Sequence, residues 1–344
     1  HKEELQSQSC LGSDLSWSLM MEVHDEELCF PQLNTSCRKP AVPWLKAVFL
    51  QSVLSFSCVF SVSLNLLVII SVSHFRQLHK TTNFLLLSLA ISDFLVGLVV
   101  FPGEGSRRTT CWFLGDVMCL LYIHIISMIT CVSVINIVLI SVDRYVAICY
   151  PLHYHRRITV ARIRLCISLC WIYSACYSIT FVKDGFSGKK ASCHGECLVL
   201  IDFSAAVLDL TVAFITPVTA IIVLYSRVFV VAVFQARAIR STVTAVSLQR
   251  SATVGKSELK AARTLGILVI VFLICFCPFY CAALGGDFSF NTSAAVLCLF
   301  CINTCFNPLI YTIFYVNVEK SASIISTRKG FRPSSSLVLT FQKT

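Results

Sequence analysis

The chain has 344 residues, of which 56% are apolar and only 13% charged, with a mean hydropathy of +0.78 and a formal net charge of +10. That composition is too apolar for an ordinary soluble domain and makes a lipid bilayer the solvent. The positive charge gathers in the segments on one side of the spans and is not a nucleic-acid footprint.

In chain order, the first 40 residues are polar and acidic and lack an apolar core ahead of a small-residue cleavage site. No cleavable signal peptide is visible there, and the first span is expected to act as signal anchor. The chain begins at His1 and not at Met, which leaves room for preceding residues. Apolar stretches follow at 47–72, 83–102, 117–142, 165–182, 203–226, 264–286 and 292–315. About 20 apolar residues suffice to cross ~30 Å of hydrocarbon as helix. The expectation is an all-α seven-transmembrane helix bundle over residues 46–316, with inner loop 227–260. A short amphipathic helix and a serine-rich tail follow at 317–344.

The segments 72–80, 143–164, 227–263 and 316–344 hold 19 of the 28 Lys and Arg but only Asp143, Glu258 and Glu319 among the acids, so they are expected on the cytoplasmic side. Residues 1–45 are then extracellular. The sequons Asn34-Thr35-Ser36 and Asn291-Thr292-Ser293 fall on that same outer face, as glycosylation requires. Most of the 19 cysteines lie within the spans and read as small buried hydrophobes. Cys10, Cys29, Cys37, Cys111, Cys119, Cys193 and Cys197 lie on the outer face, where oxidation is expected and sequence alone assigns no pairing.

Prolines stand inside the spans at Pro102, Pro217, Pro278 and Pro308 and mark kinks tolerated where neighbouring helices re-satisfy the freed carbonyls. Asp209 is the only charged residue between Asp202 and Arg227. A carboxylate in hydrocarbon costs at least a few kcal/mol, so it calls for a partner.

Six motifs then fall in order: Asn65 in the first span, LSLAISD ending at Asp93 in the second, SVDRYVAICYPLHY (141–154) in the third, Trp171 in the fourth, FLICFCPF in the sixth and NTCFNPLIYTIFY in the seventh. From about residue 50 to 326 the chain resembles the rhodopsin-like G-protein-coupled receptors. The stretches NFLLLSLAISDFLVGLVVFP (83–102), TCWFLGD (110–116), KAARTLGI (260–267) and CFNPLIYTIFY (305–315) resemble the trace amine-associated receptors in particular.

The resemblance implies an activation switch at the inner edge, in which Asp143 neutralises Arg144 beside Tyr145 and Glu258 offers a second partner. Tyr225, Asn307, Pro308 and Tyr311 belong to the same switch. At mid-membrane it implies a polar network of Asp93, Ser133, Asn303 and Asn307, with Asn65, holding either a sodium ion or hydrogen bonds alone. It also implies a disulfide from Cys119 to Cys197 and a second from Cys193 to the amino-terminal segment. Cys37 is the best candidate for that second bond, with Cys29 and Cys10 open. No other cofactor is expected. The implied partners are a small cationic amine, a heterotrimeric G protein of stimulatory or olfactory type, arrestin, a receptor kinase and the bilayer. The implied location is the plasma membrane, including olfactory cilia.

Amine receptors of this kind hold the ammonium with a carboxylate in the third span, 18 residues before the motif arginine. Here that position is Ile126, and no acid lies between Asp116 and Asp143. Asp209 stands 18 residues before Arg227, at the inner end of the fifth span, so equal residue counts place it at about the depth of Ile126. This arrangement resembles the non-classical fish receptors with their amine-binding carboxylate on the fifth helix. Thr130, Phe276, Phe279 and Tyr280 are the accompanying pocket candidates, a hydroxyl and three aromatic rings for a cation and an alkyl chain. The chain differs from the family's usual residues at Phe276, Leu64 and Cys301, and the stretch PGEGSRRTTC is unlike its usual outer loop. A rhodopsin-like receptor for a non-amine ligand, or a poorly signalling modulatory copy, is the competing expectation. An opsin is excluded because residues 292–315 contain no lysine for a Schiff base. No inverted repeat points to a transporter, and no metal cluster or nucleophile-base pair points to an enzyme.

Overall fold

The computed structural model describes residues 27–75, 79–186, 193–197, 203–241, 249–286 and 289–327. Cys10, the side chains of Glu258 and Tyr311, and the tail beyond residue 327 lie outside that description. The described chain folds into ten α-helices: α1 (Trp44–His74), α2 (Thr81–Leu95), α3 (Phe101–Thr109), α4 (Gly115–Cys149), α5 (Pro151–Arg157), α6 (Val160–Phe186), α7 (Phe203–Asp209), α8 (Thr216–Ser241), α9 (Gln249–Gly285) and α10 (Phe290–Thr327). In hydrocarbon a backbone has no water to bond to, so each crossing segment closes its hydrogen bonds on itself as helix. Six runs among the described residues are long and apolar enough to span a membrane, and the shorter apolar run Val269–Gly285 of α9 supplies the seventh.

Two spans are not regular. A π-helical turn at Val96–Val100 joins α2 to α3, and another at Leu210–Ile215 joins α7 to α8. Pro102 and Pro217 explain both: each lacks an N–H and crowds the carbonyl four residues earlier, that of Leu98 or Ala213. Both carbonyls sit inside the widened turns, which absorb the misfit. Pro278 and Pro308 lie within α9 and α10.

Three expected boundaries change. The second span does not end near residue 102; it continues as helix α3 to Thr109. The inner segment 227–260 is largely helical, because α8 runs on to Ser241 and α9 begins at Gln249. α10 is unbroken to Thr327, so the short helix expected after the seventh span is its continuation and not a separate element.

α4 is the axis of the bundle, packed against α2, α6 and α8, while α1 joins α2 to α10 and α9 pairs with α10. The main core gathers Leu85, Leu89, Ile137, Ile140, Phe272 and Ile310. A second cluster, with Leu50, Leu54, Phe101, Ile129 and Cys301, fills the other half. The second span is the most enclosed of the long spans and the fifth the most open.

One end of the bundle is closed by a cross-linked lid. Disulfides join Cys29 to Cys111, Cys37 to Cys193 and Cys119 to Cys197. The Cys37 amide donates to the His194 carbonyl at 2.8 Å, the His194 amide to Thr35 at 2.7 Å, and the Trp112 amide to Gly195 at 2.8 Å. Gly195 is required there: its φ is +107°, and a Cβ would come within 2.6 Å of the Cys29 Cβ. The exposed sequon residues Asn34 and Asn291 lie at this same end, where the Lys46 Nζ donates to the Asn291 Oδ1 at 3.1 Å.

Beneath the lid α3 buries a charge. Glu104 is 6% exposed. It accepts Arg107 through Nε at 3.0 Å and Nη2 at 2.9 Å, and Arg108 through Nε at 2.7 Å. Arg107 also donates to the Cys197 carbonyl at 3.1 Å, and the Tyr122 hydroxyl to Glu104 at 3.3 Å. The cluster locks the second span, the third span and the cross-linked loop together. Glu104→Gln removes the carboxylate that both guanidiniums share, and breaking a buried pair costs about 3–5 kcal/mol. The purified variant should melt well below the wild type. Lys39→Ala, which breaks the exposed pair with Glu27, should shift the melting temperature little.

Candidate functional site

Asp209 ends α7 where the fifth span widens into its π-helical turn. Its Oδ1 accepts the Tyr177 hydroxyl of α6 at 2.6 Å, and its Oδ2 faces the Tyr280 hydroxyl of α9 at 3.4 Å. The carboxylate is half-buried at the junction of the fourth, fifth and sixth spans. A carboxylate has about four lone-pair positions, so two phenols steady it without saturating it.

The pocket candidates divide. Tyr280 reaches the carboxylate and stacks on Phe214, ring centroids 4.4 Å apart. Phe279 stands edge-on to Tyr280 at 5.0 Å and is itself 47% exposed. Phe276 instead sits in the main core between Phe272 at 4.5 Å and Phe300 at 5.6 Å. Thr130 is partly buried on α4. The hydrogen bonds to Asp209 come from the two tyrosines and not from Thr130. Ile126 packs under the lid against Cys119, Cys197, Trp112 and Tyr122, and also against the Leu50 cluster.

Tyr177 is the residue that sequence reasoning missed. The signal was a phenol six residues past Trp171 in the apolar run ISLCWIYSACYSITF, since a hydroxyl at that depth needs a partner. His124 was also passed over. Its Nδ1 is paired with the Ser178 hydroxyl, which in turn donates to the His124 carbonyl at 3.1 Å, so the pair ties α4 to α6.

Deeper in the bundle Asp93 is fully buried. Its Oδ2 accepts Asn307 Nδ2 at 2.8 Å, and that nitrogen lies 3.5 Å from the Asn303 Oδ1. Ser133 bonds to Ser92 at 3.0 Å, next to Asp93, and not to its carboxylate. Asn65 donates to Ser61 at 3.0 Å, and Trp171 to Ser88 at 3.1 Å. Asp93 Oδ1, Asn303 Nδ2, Asn307 Oδ1, Asn65 Oδ1 and both ends of the Asn136 amide are buried without a partner in the described protein. A concentration of orphaned polar atoms at one depth calls for a further bonded group, an ion or water.

At the far end Asp143 is the hub. Its Oδ2 holds Arg144 Nη2 at 2.5 Å and accepts Thr82 at 2.8 Å, while Oδ1 accepts Tyr154 at 2.8 Å. Arg144 also donates to the Thr82 hydroxyl. Tyr145 lies edge-on to Tyr150 at 5.8 Å. The Tyr225 hydroxyl is buried near Ser141 and Arg144. Pro308 is buried in α10.

Residues 64–311 match the model of the 7 transmembrane receptor (rhodopsin family). The chain is 36% identical over 334 residues to trace amine-associated receptor 9 of Mus musculus, covering 92% of this chain and 95% of that protein. It is 34% identical over 328 residues to trace amine-associated receptor 13c of Danio rerio, covering 92% and 96%, and 36% identical over 335 residues to receptor 8b of Mus musculus, covering 92% and 97%. Proteins of this family are receptors of the plasma membrane and not enzymes. The chain belongs to the rhodopsin family of seven-transmembrane receptors and, within it, to the trace amine-associated receptors.

Proposed function

We propose that this receptor senses a small amine whose ammonium is held by Asp209 of the fifth span, and that it signals through a heterotrimeric G protein of the stimulatory or olfactory type, raising cAMP. The observation that carries the reading is a half-buried carboxylate at the meeting of three helices, steadied by two phenols and with acceptor positions left over. An aliphatic amine with a pKa near ~10.4 is a cation at pH 7 and complements it.

The lid end, with its disulfides and both sequons, faces outward, and Asn34 and Asn291 carry glycans. The Arg144 end faces the cytoplasm, where the G protein, a receptor kinase and arrestin dock. Ligand must bind one state better than the other to switch anything. Tyr280 offers the means, since it links Asp209 to the sixth span, and outward movement of that span frees Arg144 for the G protein. Expression in olfactory cilia fits an airborne or waterborne amine.

A sodium ion is proposed at Asp93. The orphaned Asp93 Oδ1 and Asn307 Oδ1, with the Asn303 Oδ1 beside them, are oxygen donors that suit a hard cation, and Ser133 is the further candidate.

In cells given a panel of amines, Asp209→Asn should weaken the cAMP response at least about a hundredfold, as for an unpaired buried charge, with surface expression kept. A response fully retained sinks the reading. Ile126→Asp adds a second carboxylate at similar depth and should raise the response to diamines over monoamines. Asp93→Asn should remove any sodium dependence of amine affinity, measured with choline replacing sodium.

A further inference from the structure

We infer that the phenol pair Tyr177 and Tyr280 makes Asp209 a site for primary ammonium groups in preference to N-methylated ones. The inference rests on the reading of Asp209 as the ammonium's counter-ion. Tyr177 donates to one carboxylate oxygen at 2.6 Å and Tyr280 faces the other at 3.4 Å. A hydroxyl that gives its proton to a carboxylate keeps its own lone pairs. Each phenol oxygen is thus within hydrogen-bond reach of the carboxylate, Tyr177 at Oδ1 and Tyr280 at Oδ2, and the carboxylate with its two phenols offers three acceptor groups side by side. A primary ammonium brings three N–H donors, one for each, and a trimethylammonium brings none. Away from bulk water an unmatched donor or acceptor is costly, so each methyl that replaces an N–H removes a bond to one of these acceptors.

The orientation of the rings supports the same choice. Sites for fully alkylated ammonium groups turn aromatic faces to the cation. Here the faces are already engaged. Tyr177 is stacked between Tyr173 and Phe181, each 6.1 Å away with interplanar angles of 19° and 13°. Tyr280 is stacked on Phe214 at 4.4 Å and flanked edge-on by Phe279 at 5.0 Å. What both tyrosines turn to the carboxylate is the hydroxyl edge. The stacks fix those edges, so the preference is built into the fourth and sixth spans before any ligand arrives.

The test uses the full-length receptor in lipid nanodiscs and four probes on one skeleton: hexylamine, N-methylhexylamine, N,N-dimethylhexylamine and hexyltrimethylammonium. Binding is read as ligand-induced thermal stabilisation, which needs no G protein. Affinity should fall along the series, by roughly three- to tenfold for each lost bond. Tyr177→Phe and Tyr280→Phe should each weaken hexylamine by that factor and leave hexyltrimethylammonium unchanged, flattening the order. Equal or tighter binding of the methylated probes to the wild type, with Asp209→Asn still losing all four, overturns the phenol inference and leaves the counter-ion reading standing. Binding that survives Asp209→Asn, or no binding of any probe to the wild type, overturns both. The wild-type order stands independent of any variant's folding, and the melting temperature of each unliganded variant separates a lost fold from a lost site.

Discussion

Hydrocarbon offers a polar side chain nothing to bond to, so each one inside the spans calls for a partner. Apolar packing between helices in lipid is weakly directional, because the tails are as apolar as leucine. The polar ties therefore fix which helix faces which. Asp93 with Asn307 joins the second span to the seventh, Ser88 with Trp171 joins the second to the fourth, and His124 with Ser178 joins the third to the fourth. Asp209 joins three spans at once. Arg144 is tied at its own end, through Asp143, to Thr82 and Tyr154.

These ties are unequal, and the inequality says where the bundle can change shape. The lid end is cross-linked by three disulfides and the Glu104 cluster, so the second and third spans are held firmly there. The fifth span is the most open of the long spans, and the sixth meets it through a contact of 3.4 Å, against 2.6 Å for the tie to the fourth. A carboxylate that grips one neighbour closely and another loosely leaves room for a ligand on the looser side. The π-helical turn after Asp209 adds a stretch of backbone already out of regular register, a feature frequent at functional sites.

The sequence made the spans legible because hydropathy depends on composition alone, and it made Asp209 and Asp93 legible because a lone charge in an apolar run is conspicuous. Tyr177 was hidden because a tyrosine reads as apolar in such a run, and only its partner on another helix reveals the hydroxyl's use. The stretch PGEGSRRT reads as loop by its glycines and charges, yet it folds as α3 because Glu104 neutralises arginines three and four residues on, on the same helical face. Phe276 was expected beside the ligand and lies in the core, since spacing gives a residue's depth but not which neighbours close around it. The Cys29–Cys111 bond was not legible at all, because three-dimensional proximity decides a pairing.

Ile126 stands where related amine receptors carry their carboxylate, and it is wedged under the disulfide lid among Cys119, Cys197, Trp112 and Tyr122. That wall is apolar, and the buried charge nearest it in sequence, Glu104, is already held by two arginines. Among the described residues, the half-buried carboxylate with acceptor positions left over is Asp209 of the fifth span. On the proposed reading the ligand's charged end points toward the fourth, fifth and sixth spans and its apolar end toward the lid and the third. On that same reading, moving one carboxylate between helices reverses the ligand while the fold that holds it stays the same.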